Sequence, residues 1–344
     1  MATPTPTTTM PRTTLMARPM PPFLEDSLLG APGKLALFGK HPAAADHLED
    51  MGLSTASLVA FKQAFYVEGI PECLTRQTWL KDLGSIEAPP YDHSLLCIGR
   101  AGWMAVRFQH SADAPGRRQF PLVLALHGGD FTSLNRVADI GQLLENALAA
   151  AVAAKDPAAL RQVHSQAQAQ VNELLGAPAA SAPGQSAREA WLQGLPLGQD
   201  SQGLWRTCHA LSPQGAGAGA ARVPLHLGGP WQSATLWLSL VKRLFLPPSG
   251  MTFLWRQRQP FADVFLTPPS SRALIPLFAP ESSQPQTASV PFNYTLELKA
   301  EAQSILLQWL QDPGLFETQK KPEETPSLLK KVCKGLRVWF KPSA

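Results

Sequence analysis

The densest group of chemically reactive side chains lies between residues 41 and 50. It comprises two imidazoles and three carboxylates: His41, Asp46, His47, Glu49 and Asp50. Both side-chain types bind divalent metal ions, and imidazole exchanges protons near neutral pH, so the group could hold a metal or supply an acid and a base. Its spacing matches no established ligand motif, whereas aspartate and histidine also collect as turn and cap residues where a strand passes into a helix. We expect turn and recognition chemistry here. A metal-dependent enzyme that uses His41, Asp46, His47 and Glu49 is the alternative.

A second polar group comes just before an apolar run, in the segment Gly116-Arg117-Arg118-Gln119-Phe120-Pro121. Two adjacent arginines could bind a phosphate or a carboxylate through paired hydrogen bonds. They could instead neutralise the acidic residues between 41 and 50 if folding brings the two loops together. We favour this second interpretation, and we predict that Asp46 lies on the same edge of the sheet as Arg117 or Arg118.

The segment 326–341 combines positive charge with an apolar stripe. Its basic residues are Lys330, Lys331, Lys334, Arg337 and Lys341, and it contains no acidic residue. Apolar residues, among them Trp339, fall between them at helical spacing, which indicates a basic amphipathic helix. Such a helix could dock on the body of the protein, contact a partner, or bind weakly to an anionic membrane surface.

Most other kinds of chemistry find no support in the sequence. The chain has no GxSxG nucleophile turn, phosphate-binding glycine loop or HExxH motif, so we expect no catalytic, cofactor or metal site. Its 30 basic and 26 acidic residues give a net charge of only +4, which is too small to indicate nucleic-acid binding. The four cysteines lie far apart without metal-ligand spacing, which is typical of a reduced, intracellular protein.

The sequence shows no targeting or membrane-spanning segment. Residues 1–22 are dominated by threonine and proline, unlike a secretory signal, and the apolar run 234–246 is interrupted by Lys242 and Arg243. Its 33 prolines among 344 residues are about twice the usual share. We therefore expect a soluble chain with a disordered tail over residues 1–30 and Pro/Gly-rich linkers, one of them at 281–292.

The elements predicted for the first part of the chain place both polar groups at strand ends. Lys34–Gly39 is apolar and bounded by glycines, which predicts a strand that ends in the turn at residues 39–42. A helix is predicted after the N-cap Ser54, with its end at Gly69-Ile70-Pro71. Strands are predicted for the hairpin runs 93–99 and 103–109 and for the continuously apolar run 120–126.

The rest of the chain is predicted to be mainly helical. Helices are expected at 137–154, 157–175 and 231–245, near 299–311, and around residues 191 and 204–211, with short strands at 251–256 and 264–267. The Gly/Ala/Pro-rich segments 176–184 and 213–221 are interpreted as linkers. Because this order lacks strict βαβ alternation, we predict a mixed α/β fold with a partly antiparallel central sheet flanked by helices. We assign residues 31–280 to the body and residues 293–344 to C-terminal helices.

Two of these segments together resemble a known family. Gly39-Lys40-His41-Pro42, followed by Asp46 and by Gly52-Leu53, looks like the opening motif of the TagF (ImpM) family of type VI secretion accessory proteins. Gly116-Arg117, followed by Phe120-Pro121-Leu122, is similar to the motif that follows a strand pair in that family. The resemblance covers about residues 33–130.

This resemblance implies a function that the residues alone do not. Members of the family are cytoplasmic, non-enzymatic regulators that restrain assembly of the secretion apparatus and act with a forkhead-associated scaffold protein. The resemblance is to a divergent member, because His41, Ala45 and His47 stand where the family usually has leucine, glycine and phenylalanine. The resemblance therefore implies interaction residues at both motifs and secretion-system proteins as partners.

Overall fold

The computed structural model describes residues 24, 28, 33–76, 90–116, 119–178, 180–195, 197, 202–211, 220–226, 229–244, 250–265 and 296–311. Several sequence predictions lie outside these residues: the tail 1–30 except for Leu24 and Leu28, the arginines 117 and 118, the linker 281–292 and the basic segment 326–341. Leu24 is fully buried, and its backbone N–H donates to Ser57 Oγ over 3.1 Å.

Seven strands within the described residues form one sheet. They are β1 Lys34–Gly39, β2 Asp92–Ile98, β3 Trp103–Ala112, β4 Gln119–Gly128, β5 Ala220–Pro224, β6 Met251–Arg256 and β7 Phe261–Phe265. Their order across the sheet is β1-β4-β3-β2-β6-β7-β5, and every neighbouring pair is antiparallel. The predicted mixed α/β fold, with its antiparallel pairing and flanking helices, is confirmed.

The helices are placed on both faces of this sheet. They are α1 Ala56–Phe61, a π-helical segment Lys62–Gly69, α2 Ile70–Arg76, a 3₁₀ turn Phe131–Arg136, α3 Val137–Ala153, α4 Pro157–Gly176, α5 Gln185–Gly194, α6 Gln202–Ala210, α7 Pro230–Leu244 and α8 Leu296–Gln311. Among the described helices, none is both long enough and apolar enough to cross a bilayer.

Alternation along the strands divides the apolar residues into two cores. On β1, Leu35 and Leu37 face one core while Ala36 and Phe38 face the other. The first core contains the apolar faces of α3 to α8, and the second contains α1, the π-helical segment and α2. The sheet is therefore covered by helices on both faces, which explains why its strands read as continuous apolar runs.

The helical segment after β1 differs from its prediction at both ends. Thr55, not Ser54, is the N-cap, because its hydroxyl accepts a hydrogen bond from Leu58 N over 3.2 Å. Helical structure also continues through Pro71 to Arg76. In a regular α-helix the proline ring would clash with the carbonyl four residues earlier. Here Ile70 N bonds to Phe65 O, and this wider π turn precedes the proline.

Side chains of α4 cover the outer edge of β1. Gln168 Oε1 accepts from Leu35 N, and Gln168 Nε2 donates to Gly33 O, each over 2.9 Å. His164 Nε2 lies 3.0 Å from Leu35 O. These contacts satisfy edge groups that would otherwise be free to pair with another strand.

A tryptophan cluster joins α8 to the helices beside it. The ring centroids of Trp191 and Trp309 are 5.8 Å apart, and those of Trp191 and Trp237 are 5.1 Å apart. Trp309 Nε1 donates to Ser239 Oγ over 3.0 Å, and Arg188 donates to the Trp309 carbonyl. The last described helix is thus part of the first core.

One strand was wrongly interpreted as a linker. β5 includes Ala220 and Ala221, which the Gly/Ala composition had assigned to the linker 213–221. The strand forms because Arg222 pairs in register with Asp263 of β7 and makes a two-point ion pair with it over 2.8 and 3.0 Å. A distant partner therefore decides the conformation of this segment.

Candidate functional site

Both family-like motifs lie at one end of the sheet, where β1 and β4 pair. Gly39 has a φ of +124°, a conformation that residues with a side chain rarely adopt. A Cβ atom at Gly39 would also lie only 2.3 Å from Pro121 O. Glycine is therefore required at this position, because the first motif turns directly against the proline of the second.

Lys40 is buried at this turn and joins two loops. Its Nζ atom donates to Asp113 Oδ2 over 2.7 Å and to Asp46 Oδ1 over 3.1 Å. The Asp113 side chain is only 1% exposed, whereas that of Asp46 is 70% exposed. Burial alone would lower the pKa of Lys40, but the hydrogen bonds from the two carboxylates outweigh it, and the net effect raises the pKa. Lys40 is thus held as a cation between a buried carboxylate and a solvent-facing one.

A backbone contact also connects the two loops, because Ala114 N donates to Ala44 O over 2.9 Å. Within the second loop, Gly116 N donates to Asp113 O over 2.8 Å. The sequence predicted that Arg117 and Arg118 neutralise the acidic residues between 41 and 50, whereas the ion pair described here has its cation, Lys40, on the first loop and its carboxylate, Asp113, on the second. The predicted proximity of Asp46 to Arg117 or Arg118 stays a prediction, because both arginines lie outside the described residues.

The predicted group between residues 41 and 50 is spread over the turn rather than gathered around one point. His41 is 1% exposed, and its Nδ1 atom accepts from Ala43 N over 3.0 Å. Pro42 and Glu49 are exposed. No three histidine, cysteine, aspartate or glutamate side chains in the described parts of the chain are grouped so that they could hold a metal ion. The donor set of the metal-enzyme alternative does not converge.

Three rings lie beside the exposed carboxylate. His47 Nδ1 is 3.2 Å from Asp46 Oδ1, and the His47 ring meets the rings of Tyr66 and Phe120 edge-on, at centroid distances of 5.7 and 6.1 Å. Tyr66 and Phe120 are themselves 5.5 Å apart. The hydrogen bond from Lys40, with a smaller contribution from His47, lowers the pKa of Asp46. An ionised carboxylate therefore lies next to an aromatic surface.

Tyr66 has a buried hydroxyl with no hydrogen-bond partner in the described structure. Burial raises the pKa of Tyr66, and the negative charges of Asp46 and Asp50 raise it further. The hydroxyl is therefore protonated at physiological pH, and it is close enough to both carboxylates to sense their charge. A buried unpaired hydroxyl is costly in free energy, so it marks a place where a ligand can supply the missing partner.

These groups line an open cleft of about 700 Å³. The π-helical segment and α2 contribute Lys62, Tyr66, Val67 and Pro71, and the loops and strand ends contribute Gly39, Lys40, Asp46, His47, Asp50, Asp113 and Phe120. Lys62 forms an ion pair with Asp50 and lies 5.8 Å from the centroid of the Phe38 ring. We call this feature the motif cleft.

A second cleft, of about 820 Å³, is lined by residues of β2, β3 and β6 and of α3, on the face of the sheet that carries the first core. Its buried Arg107 donates to His93 O over 2.8 Å and to Asp92 Oδ1 over 3.0 Å. Asp92 and Glu145 line the cleft together with Arg256 and Arg258. The described lining has three guanidinium groups, on Arg107, Arg256 and Arg258, and two carboxylates, on Asp92 and Glu145, and Arg107 is paired with Asp92.

Two buried thiols are poor nucleophiles. Cys73, Cys97 and Cys208 are buried and form no disulfide, and burial raises the pKa of Cys97 to about 12 and raises that of Cys208 as well. Cys97 Sγ lies 3.2 Å from Thr252 Oγ1. Since the thiolate is the nucleophilic form, a thiol with so high a pKa is inert at ordinary pH.

Sequence reasoning did not identify five residues that line the motif cleft: Lys62, Tyr66, Val67, Pro71 and Asp113. Tyr66 comes directly after Ala64 and Phe65 in an apolar helix, so in the sequence it looks like a core residue. Asp113 stands in a polar loop whose partner, Lys40, is 73 residues away. The one available signal was the position of Lys40 directly after the apolar strand, because an ammonium that is buried there requires a carboxylate.

Comparison with known proteins gives no match for the chain. No protein-family model matches the chain, and no curated protein matches it.

Proposed function

We propose that the chain is a cytoplasmic, non-enzymatic accessory protein of the TagF type, which restrains assembly of a type VI secretion apparatus by binding its components. The observation that carries the proposal is the convergence of the two motifs. Gly39 lies against Pro121, and Lys40 binds Asp113 in the loop that leads to Gly116. Residues of both motifs, Gly39, Lys40 and Asp46 of the first and Phe120 of the second, therefore line one cleft, although they are far apart in the sequence.

The contacts that the polar side chains of the two motifs already make within the protein support binding rather than catalysis. Lys40 is engaged by two carboxylates, and His41 Nδ1 holds its own turn. The groups left at the surface are suited to recognition: an exposed carboxylate on Asp46, a half-exposed imidazole on His47, and Val67, which is 46% exposed. Exposed apolar and charged groups around a cleft are typical of a protein-binding surface.

The resemblance also names the partners to be tested. In this proposal the motif cleft contacts a component of the secretion apparatus or a forkhead-associated scaffold protein. The basic segment 326–341 is an additional candidate for contact with a partner or with an anionic membrane surface.

Site-specific photocrosslinking in the native cells tests the proposal. A photoreactive phenylalanine analogue is placed at Val67, on the rim of the motif cleft, and at Leu307 as a matched control. Leu307 is 57% exposed and belongs to α8, which packs on the opposite face of the sheet. We expect a secretion-system protein to be captured from Val67 and not from Leu307.

The proposed role in regulation needs a second measurement. Deletion of the gene should increase the number of assembled secretion structures per cell, as counted by fluorescence microscopy of a labelled sheath component. Unchanged assembly after deletion, together with capture of no secretion-system protein from Val67, would contradict the proposal.

A further inference from the structure

Among the described residues, the lining of the motif cleft carries more negative than positive charge. It contains three carboxylates, on Asp46, Asp50 and Asp113, and two ammonium groups, on Lys40 and Lys62. Asp113 forms an ion pair with Lys40, and Asp50 forms one with Lys62. Both contacts of Asp46 are made to its Oδ1 atom, and no described residue donates to its Oδ2 atom. Within the described residues, the exposed carboxylate of Asp46 is therefore the one with an acceptor atom left for a ligand.

The surroundings of Asp46 are suited to a flat cation. The rings of His47, Tyr66 and Phe120 lie next to it, and Tyr66, a residue that is 4% exposed, has a buried hydroxyl with no partner among the described residues. Aromatic rings attract cations that lie within about 6 Å. A hydroxyl oxygen accepts a hydrogen bond from an N–H donor. One cation with several N–H groups could satisfy the carboxylate, the hydroxyl and the rings together.

We propose that the motif cleft binds an arginine side chain presented by a partner protein, with the guanidinium between Asp46 Oδ2 and the rings of His47, Tyr66 and Phe120. The inference deepens the proposed function and rests on it for the statement that the arginine belongs to a protein. Arginine fits better than lysine because its guanidinium is planar, has five N–H donors, stacks on aromatic rings and is more weakly hydrated.

The size of the cleft supports an arginine within a chain segment. A volume of about 700 Å³ exceeds that of one side chain. The remaining space is bordered by Val67 and Pro71, which offer apolar contact to the neighbouring residues of the partner. Arginine is enriched at the centres of protein interfaces for the same reasons of charge and stacking.

Tyrosine NMR of the complete chain tests the inference without any partner protein. The chain has three tyrosines, so ring-labelled [¹³C]tyrosine gives few signals, and Tyr66→Phe identifies the signal of Tyr66. We expect titration with N-acetyl-arginine amide to shift the Tyr66 signal and to leave that of Tyr91 in place. N-acetyl-citrulline amide has the same shape without the charge, and it should cause no shift.

Two matched variants locate the cation. Asp46→Asn should weaken arginine binding by about tenfold, because it removes the charged acceptor. Glu49→Gln should leave binding unchanged, because this exposed carboxylate lies outside the lining of the cleft. The unshifted Tyr91 signal and an unchanged melting temperature verify that each variant is folded.

Three outcomes overturn the inference: a Tyr66 signal that stays in place throughout the arginine titration, an equal shift with citrulline or with N-acetyl-lysine amide, or equal binding by the Asp46→Asn variant. The crosslinking experiment at Val67 does not depend on this result. If the protein binds a secretion-system partner without recognising arginine, only the crosslinking experiment succeeds. If it recognises arginine but has no such partner, only the NMR titration succeeds.

Discussion

At the scale of single residues, Lys40 is the group on which the motif cleft depends. Its ammonium is 3% exposed and lies between a buried and an exposed carboxylate. A charge taken out of water requires a counter-charge and hydrogen bonds, and breaking such a pair leaves the remaining charge unpaired. The same lysine holds the loop after β1 against the loop after β3, so the cleft and the ion pair form together.

Lys40→Met should lower the free energy of unfolding by about 3 kcal/mol, because it deprives the buried Asp113 of its ammonium partner. The double variant Lys40→Met, Asp113→Leu should recover much of this loss, since it buries no charge. Urea denaturation followed by circular dichroism measures both. If the single variant lowers the free energy of unfolding by less than about 1 kcal/mol, the ion pair between Lys40 and Asp113 stabilises the protein no more than an exposed ion pair does, which would contradict this prediction.

At the scale of elements, cross-strand contacts decide which segments become strands. β5 is held on β7 by the ion pair between Arg222 and Asp263, and the Arg222 guanidinium lies 3.9 Å from the centroid of the Phe261 ring. Burial raises the pKa of Asp263, while the hydrogen bond and charge of Arg222 lower it. Its pKa in the folded protein is nevertheless above the ordinary value, so the folded protein binds this proton more tightly than the unfolded chain.

Arg222→Leu should destabilise the protein more at neutral pH than in acid. Without the guanidinium the pKa of Asp263 rises further, so the stability of the variant is highest in acid and is lost as the pH rises through that pKa. We expect a loss of about 3 kcal/mol near neutral pH and less than about half of it near pH 4.5. Urea denaturation at the two pH values measures it. Arg161→Leu, at an exposed site on α4, serves as the control, and a loss independent of pH would contradict the role of Asp263.

At the scale of the whole molecule, the two cores differ in how close they lie to the motif cleft. The second core lies under the helix that carries Lys62 and Tyr66, next to the motif cleft. The first core, on the other face of the sheet, contains the tryptophan cluster that fastens α8. Trp309 lies near the end of the described chain, yet its side chain is 1% exposed. Substitutions in the first core should therefore change stability and leave the shape of the motif cleft intact.

Trp309→Ala should reduce the free energy of unfolding by about 3 to 5 kcal/mol, since it opens a large cavity between α5, α7 and α8. Leu307→Ala is a matched control two positions earlier in the same helix, because its side chain is exposed, and it should change stability by less than about 0.5 kcal/mol. Thermal and urea unfolding of the two variants test the difference. Similar small effects would mean that α8 is not fastened to the first core.

The sequence predicted elements whose own composition is distinctive. The Ala/Leu/Gln-rich composition of residues 137–154 and 157–175 identified α3 and α4 almost to the residue, and the spacing of two β-like runs identified the hairpin of β2 and β3. β5 was missed because alanines near a glycine-rich segment have no strand signal of their own, and Asp263 lies 41 residues away from Arg222. Local sequence patterns therefore predict the helices and the long strands, whereas a short strand such as β5 depends on a contact between residues that are far apart in the sequence.

The motif cleft was predicted only in part for the same reason. Gly39, Lys40, Asp46 and His47 were identified as candidates, and the structure places them at the cleft. Asp113 was not identified, because its role follows from a contact between loops. Tyr66 was not identified either, because adjacent Phe65 and Tyr66 look alike on an apolar helix, and helical geometry alone decides which of them reaches the cleft.

The geometry of the π-helical segment makes the motif cleft sensitive to the number of residues in this helix. In the π-helical segment Lys62–Gly69 each hydrogen-bonded turn contains one residue more than an α-helical turn. Deleting a single residue between Gln63 and Tyr66 would allow a regular α-helix, in which each residue rotates by about 100° around the axis. Tyr66 would then be moved by that angle relative to the preceding turn and would leave its place beside His47 and Phe120. Related chains that differ by one residue in this helix should therefore differ in what they bind, even where every residue that lines the cleft is identical.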